Sequence, residues 1–205
     1  MTKHLTQFRH PEYNPDGDSF SENCGPACLA LALDRLGLGL PAIPGLAPAR
    51  TPQARIDAAR YAMFSDRSGR SVCESKDGVK STPGGLERHY PEHLTLVNLE
   101  DVENGAVNCR ARTFRLTSLD QLDRALGRGP VMLAGDPSRS GTHAARAQIR
   151  YRGGHFLLVA EGGPDGYLTF DPLCGLGPLR LEYQELAAFV AAEVFAEVVG
   201  IGLTT

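Results

Sequence analysis

Residues 21–33 read SENCGPACLALAL, and this stretch constrains the fold more than any other part of the chain. Its apolar side chains recur at the spacing of a helix. The pattern predicts a helix from Cys24 to Leu36 that is buried on most sides. Gly37 and Pro41 would end it. The first regular element of the chain is therefore expected to be a core helix.

Cys24 occupies the first position of this predicted helix and is followed by Gly25-Pro26. The positive end of a helix dipole lowers the pKa of a thiol, and the thiolate is the nucleophilic form. Thiol catalysis also needs a base, a group that orients the base, and donors for the oxyanion. Cys24 is thus a candidate nucleophile whose partners have to come from elsewhere in the chain.

A histidine and an aspartate far downstream are the candidate partners. His155 starts the apolar run His155–Ala160, and Asp171 follows the run Tyr167–Phe170. The two runs predict the strands of a hairpin around residues 162–166. Asp171 would then lie at the end of the strand beside His155, where its carboxylate could reach the imidazole and fix its tautomer.

The motifs around these residues resemble those of the papain-like bacteriocin-processing (double-glycine) peptidase family, and most of all its stand-alone bacterial relatives, which lack a transporter. They are NCGPACLALAL at 23–33, GHFLLV at 154–159 and DP at 171–172. The resemblance covers the helix at 24–37 and the stretch from about 129 to 203, about half the chain.

This resemblance implies a papain-like fold and a cysteine peptidase or amidase, a hydrolase that works through a thioester acyl-enzyme. It places the roles of nucleophile, base and orienting acid on Cys24, His155 and Asp171. The family usually has a glutamine six residues before the cysteine to complete the oxyanion hole, but that position here is Asp18. Gln7, which is the single glutamine upstream of Cys24, is taken as the oxyanion donor, ahead of Ser19 or Ser21.

Helices precede antiparallel strands along the chain, which indicates an α+β fold in a single domain, 1–205, with N-terminal helices packed on a C-terminal antiparallel sheet. Residues 1–23 form an irregular lead-in that carries Gln7. Ser118 caps a helix that runs to Leu126. Further helices are expected at 51–64, 83–90 and 183–192, further strands at 94–99, 110–116, 131–134 and 194–203, and a loop at 136–153.

Composition excludes several classes of function. The 21 basic and 24 acidic residues give a net charge of −3 and there is no Trp, which argues against a nucleic-acid partner. No stretch is apolar enough for a secretory signal or a membrane span, so the protein is expected to be cytoplasmic as encoded and not membrane-bound, with export by a signal-independent route left open. The cysteines lack CxxC spacing, and we expect no disulfide framework, metal or cofactor.

Three functions remain open at this stage. The first is a cysteine peptidase or amidase whose substrate is a peptide, a protein or the peptide stem of bacterial cell wall. Such an enzyme could be a bacterial effector or toxin, with an inhibitor or immunity protein as partner. The second is a transglutaminase-like acyltransferase, which has Cys, His and Asp in the same chain order. The third is a catalytically inactive papain-like binding module, which the missing glutamine at position 18 keeps open. Cys28, one turn after Cys24, is expected to be a core residue.

Overall fold

A computed structural model gives the architecture of the chain. It describes residues 4–6, 24–40, 48–52, 54–56, 58–59, 110–141, 154–173, 178–190 and 199–205. Within these ranges, no helix combines the length and the apolar character that crossing a bilayer requires.

The core of the fold is a six-stranded sheet in which every neighbouring pair is antiparallel. The strand order is β1-β6-β2-β3-β4-β5, so the last strand of the chain is inserted between the first two. The strands are β1 (Arg110–Arg115), β2 (Val131–Gly135), β3 (His155–Gly163), β4 (Gly166–Phe170), β5 (Leu179–Leu181) and β6 (Val199–Thr204).

Within the described part of the chain, three helices cover the two faces of this sheet. They are α1 (Cys24–Arg35), α2 (Leu119–Leu126) and α3 (Tyr183–Val190). Helical residues also occur between 52 and 59, and a 3-10 turn spans Pro137–Arg139. The first ten residues of α1 are all buried, as the apolar pattern predicts.

Alternate residues of the central strands serve different faces, because successive side chains of a strand point in opposite directions. Phe156 and Leu158 of β3 pack with α1. Leu157 and Val159 pack on the other face with residues of α2 and α3. The α+β class is therefore confirmed, and α1 lies on the sheet as expected. The second helical layer, which comes from the C-terminal half of the chain, was not predicted.

The hairpin of β3 and β4 is confirmed, with a shorter turn than expected. β3 continues to Gly163 and β4 begins at Gly166, so two residues form the connection. Gly166 has a φ of +97°, and a Cβ there would lie 2.2 Å from the Leu181 carbonyl oxygen, which explains the glycine. A register shift between Val159 and Glu161 marks a β-bulge.

Arg35 connects the end of α1 to this hairpin. Its guanidinium lies 2.5 Å from a Glu161 carboxylate oxygen, at the bulge. The same group lies 5.6 Å from the centre of the Phe170 ring, on β4. The ion pair and the cation–π contact fix α1 to both strands of the hairpin, and α1 carries Cys24 at its other end.

The remaining differences from the sequence predictions lie at short elements and element ends. β5 was not predicted, because three residues provide only one period of alternation. The helix predicted at 183–192 is observed to Val190, and of the strand predicted at 194–203 the structure describes residues 199–203, which are extended and continue to Thr204. The elements expected at 83–90 and 94–99, and the last part of the helix expected at 51–64, lie outside the described residues.

Candidate active site

The two strands of the hairpin bring His155 and Asp171 to one edge of the sheet. β3 begins at His155, and β4 ends at Phe170, the residue before Asp171. Leu158 pairs with Phe170, so continuing this register places Asp171 opposite Leu157. Leu157 and His155 share a face of β3, because they are two residues apart. The topology therefore places the carboxylate diagonally across from the imidazole.

His155 and Asp171 form a direct and fully buried contact. The distance between His155 Nε2 and Asp171 Oδ1 is 2.6 Å, and both side chains have no exposed surface. A carboxylate only accepts hydrogen bonds, so Nε2 carries the proton. The Leu173 N–H also donates to Asp171 Oδ1, at 2.8 Å. This bond between a side chain and the N–H two residues later is that of an Asx turn.

Cys24 is the third member of this group. It is the first residue of α1 and is 7% exposed, so its thiol is close to the surface without being open to it. Its side chain is close enough to His155 to raise the pKa of the imidazole. Since Asp171 engages Nε2, Nδ1 is the ring nitrogen that is left for the thiol. The structure thus brings Cys24, His155 and Asp171 together in one site.

The surroundings of His155 favour its charged form. Burial by itself lowers the pKa of the imidazole. The negative charge of Asp171, the hydrogen bond to Asp171 and the interaction with Cys24 act in the other direction and outweigh burial, raising the pKa of His155 to about 9. An imidazole with this pKa is protonated at neutral pH. A positive charge next to a thiol stabilises the thiolate.

The ring of Phe189, in α3, packs against the imidazole of His155. The sequence did not predict this contact. The Phe189 ring lies 6.5 Å from the His155 ring, edge to face. Gly135, which is paired with His155 in the sheet, makes this approach feasible: a Cβ there would lie 2.3 Å from the Phe189 carbonyl oxygen. The Asp136 N–H donates to that same oxygen at 2.9 Å. The one sequence feature that relates to this contact is Gly135, at the end of the apolar strand 131–135. Phe189, which packs against it, lies more than fifty residues further along the chain.

Cys28 is a buried core residue, as predicted. It has no exposed surface, and its Sγ donates to the Phe156 carbonyl oxygen at 3.5 Å. Burial raises the pKa of this thiol well above its usual range, and the negative charges of Cys24 and Asp171 raise it further. A neutral, buried thiol is a poor nucleophile. Across the described ranges, no group of three or more His, Cys, Asp or Glu side chains could hold a metal ion.

The proposed oxyanion donor, Gln7, lies outside the described residues, as do Asp18, Ser19 and Ser21. The segment just before Gln7 is described. Leu5 is 1% exposed and belongs to the cluster of apolar residues around α1. The irregular lead-in predicted for 1–23 is therefore packed into the core at this point.

The raised pKa of His155 makes stability depend on pH. Because the folded protein binds this proton more tightly than the unfolded chain, the contribution is complete below pH ~6.5 and is lost as pH rises to about 9. Urea unfolding of the wild type should show a loss on the order of 3 kcal/mol over this window, relative to His155→Gln. Curves of unfolding free energy against pH that run parallel for the two proteins would contradict the assignment.

Comparisons with known proteins leave the family open. No protein-family model matches the chain, and no curated protein matches it. Among solved structures, the chain is similar to one from Bacillus anthracis whose name proposes a C39-like peptidase. The identity is 10% and the TM-score 0.36, and the match covers 51% of this chain and 56% of the other. The chain thus spans little more than half of the structure it matches, and a TM-score this low does not establish a shared fold.

Proposed function

We propose that this protein is a papain-like cysteine peptidase or amidase that cleaves a peptide-type amide bond with Cys24, His155 and Asp171. The observation that carries the proposal is the buried 2.6 Å contact between His155 Nε2 and Asp171 Oδ1, with Cys24 close enough to the same imidazole to raise its pKa. A nucleophile, a base and a group that orients the base are the parts that thiol catalysis requires.

The first chemical step forms the acyl-enzyme. Because His155 is protonated at neutral pH, the proton shared by Cys24 and His155 already lies on Nδ1, and Cys24 Sγ attacks the carbonyl carbon of the scissile amide. The resulting tetrahedral intermediate collapses as the His155 imidazolium donates that proton to the leaving amine. A thioester on Cys24 remains. Asp171 accepts the Nε2–H bond throughout, which keeps the ring in one tautomer and stabilises its positive charge.

The second step returns the enzyme to its starting state. Water enters in place of the amine, and neutral His155 takes one of its protons as the oxygen attacks the thioester carbonyl. Collapse of the second tetrahedral intermediate releases a carboxylic acid and frees Cys24, with the proton again on His155. The overall reaction consumes one water and needs no cofactor.

The start of α1 and Gln7 are the proposed donors to the oxyanion. The first backbone N–H groups of a helix have no partner inside the helix, and here they belong to the turn that begins at Cys24. Gln7 would add its side-chain amide. The support for Gln7 is its neighbour: the Thr6 hydroxyl donates to the Pro172 carbonyl oxygen, one residue from Asp171.

The proposed reaction requires only that the substrate contain a peptide-type amide bond. We propose that this amide belongs to a peptide, a protein or the peptide stem of bacterial cell wall. An enzyme of this kind could act as a bacterial effector with an inhibitory partner protein. Incubation with a peptide library and with purified cell-wall fragments, read by mass spectrometry, identifies the products. Adding a primary amine to the same reactions distinguishes hydrolysis from acyl transfer, because an acyltransferase forms a new amide with the added amine.

Substitutions in the proposed triad should separate the three roles. Cys24→Ala and His155→Ala should each abolish turnover, because one removes the nucleophile and the other removes the base. Asp171→Asn should leave more activity, since it disturbs the orientation and charge of the imidazole but keeps the nucleophile. Cys28→Ala is the matched control: it removes a thiol from the same helix and should keep most of the wild-type rate. Turnover by Cys24→Ala at the wild-type rate would sink the proposal.

The oxyanion role of Gln7 can be tested apart from its effect on the nucleophile. Gln7→Ala should lower kcat by about 100-fold or more, as loss of one oxyanion donor does in other enzymes. Alkylation of Cys24 by iodoacetamide should keep its wild-type rate, because that displacement forms no oxyanion. If turnover is unchanged in Gln7→Ala, the donor lies elsewhere. If alkylation falls along with turnover, Gln7 acts on the thiol or on the fold and not on the oxyanion.

A further inference from the structure

The peptide group between Pro172 and Leu173 makes two hydrogen bonds that connect the N-terminal segment to the active site. Its N–H, on Leu173, donates to Asp171 Oδ1 at 2.8 Å. Its carbonyl oxygen, on Pro172, accepts from the Thr6 hydroxyl at 3.1 Å. A peptide group is planar and rigid, so fixing its oxygen also fixes the direction of its N–H.

These bonds form one continuous series from Thr6 to the imidazole. The Thr6 hydroxyl holds the Pro172 oxygen, the Leu173 N–H holds Asp171 Oδ1, and the same Oδ1 holds His155 Nε2. A hydrogen bond to a carbonyl oxygen polarises the peptide group and strengthens its N–H as a donor. The hydroxyl therefore affects both the position of the carboxylate and the strength of the bond that holds it.

Thr6 is itself held in place by its neighbour. Leu5 is 1% exposed and lies in the apolar cluster that also contains Cys24 and Phe156. Burying a leucine anchors a segment that has no regular secondary structure. The hydroxyl of Thr6 therefore acts from a fixed point, although it is 166 residues away from Pro172 in the chain.

We infer that Thr6 is a positioning residue of the active site, whose hydroxyl fixes the Pro172–Leu173 peptide group and through it the Asp171 carboxylate against His155. The inference rests on the proposed function, because it assigns Thr6 a part in orienting the charged His155 imidazole beside Cys24. It also means that residues 4–6 are connected to Asp171 through the Pro172–Leu173 peptide group.

The test is the rate at which iodoacetamide alkylates Cys24, assigned by fragmentation in mass spectrometry, at pH 6 and at pH 10. At pH 6 a free thiol is almost entirely neutral, so rapid alkylation depends on the imidazolium of His155. At pH 10 most thiols are ionised without assistance. Thr6→Val, which replaces the hydroxyl by a methyl group, should lower the rate at pH 6 by about 3- to 10-fold, the effect of one hydrogen bond. The rate at pH 10 should change less than about 2-fold.

Two further variants separate the hydroxyl from the general effect of a substitution. Thr6→Ser keeps the hydroxyl and should alkylate at the wild-type rate at both pH values. Thr117→Val removes an exposed hydroxyl, 3.2 Å from Gln121 Oε1 at the start of α2, and should also match the wild type. All rates are measured at a temperature where circular dichroism shows each variant to be folded. If Thr6→Val does not fold, Thr6→Ala replaces it with the same expected result.

The outcomes distinguish failure of this inference from failure of the proposed function. His155→Ala gives the reference rate at pH 6 for a Cys24 without its base. If the wild type is much faster than His155→Ala but Thr6→Val is as fast as the wild type, the role of Thr6 is overturned and the proposed function stands. If Thr6→Ser is alkylated as slowly as Thr6→Val at pH 6, the role of Thr6 is also overturned, since loss of the hydroxyl would then not be the cause of the lower rate. A wild type no faster than His155→Ala overturns both.

Discussion

The hydrogen bond between His155 Nε2 and Asp171 Oδ1 is the contact on which the rest of the site depends, because it brings a carboxylate and an imidazole fully inside the protein. An isolated buried charge costs several kcal/mol. Here the carboxylate accepts from two N–H groups on one oxygen, and the imidazole balances its charge. The contact with Asp171 helps to raise the pKa of His155 to about 9, so the imidazole beside Cys24 is positively charged at neutral pH.

Three parts of the fold surround this pair: the β3–β4 hairpin, α3 and α1. The β3–β4 register sets the diagonal between His155 and Asp171. Phe189 supports the imidazole from α3, which Gly135 allows to come close. On the other face of the sheet, α1 presents Cys24 at the same edge. Arg35, at the far end of α1, binds Glu161 and Phe170, so the helix that carries the thiol and the hairpin that carries its partners form one packed unit.

The sequence predicted the parts of this arrangement that come from repeated patterns. The buried helix from Cys24 and the hairpin that follows His155 have several periods of apolar alternation, which makes them readable. β5 has only three residues and was missed. Phe189 could not be predicted, because its role depends on a pairing between β2 and β3 that brings Gly135 opposite His155. Leu5 and Thr6 form no periodic pattern, so their packing beside Pro172 is visible only in three dimensions.

The charge state of His155 in the folded protein is the central claim, and it can be measured directly. In a two-dimensional NMR titration of the histidine rings, the His155 signal is assigned by its loss in His155→Gln. We expect a titration midpoint near pH 9 in the wild type and a lower midpoint in Asp171→Asn, where the balancing charge is gone. A wild-type midpoint at or below the value of about 6.5 found for a free imidazole would contradict the central claim.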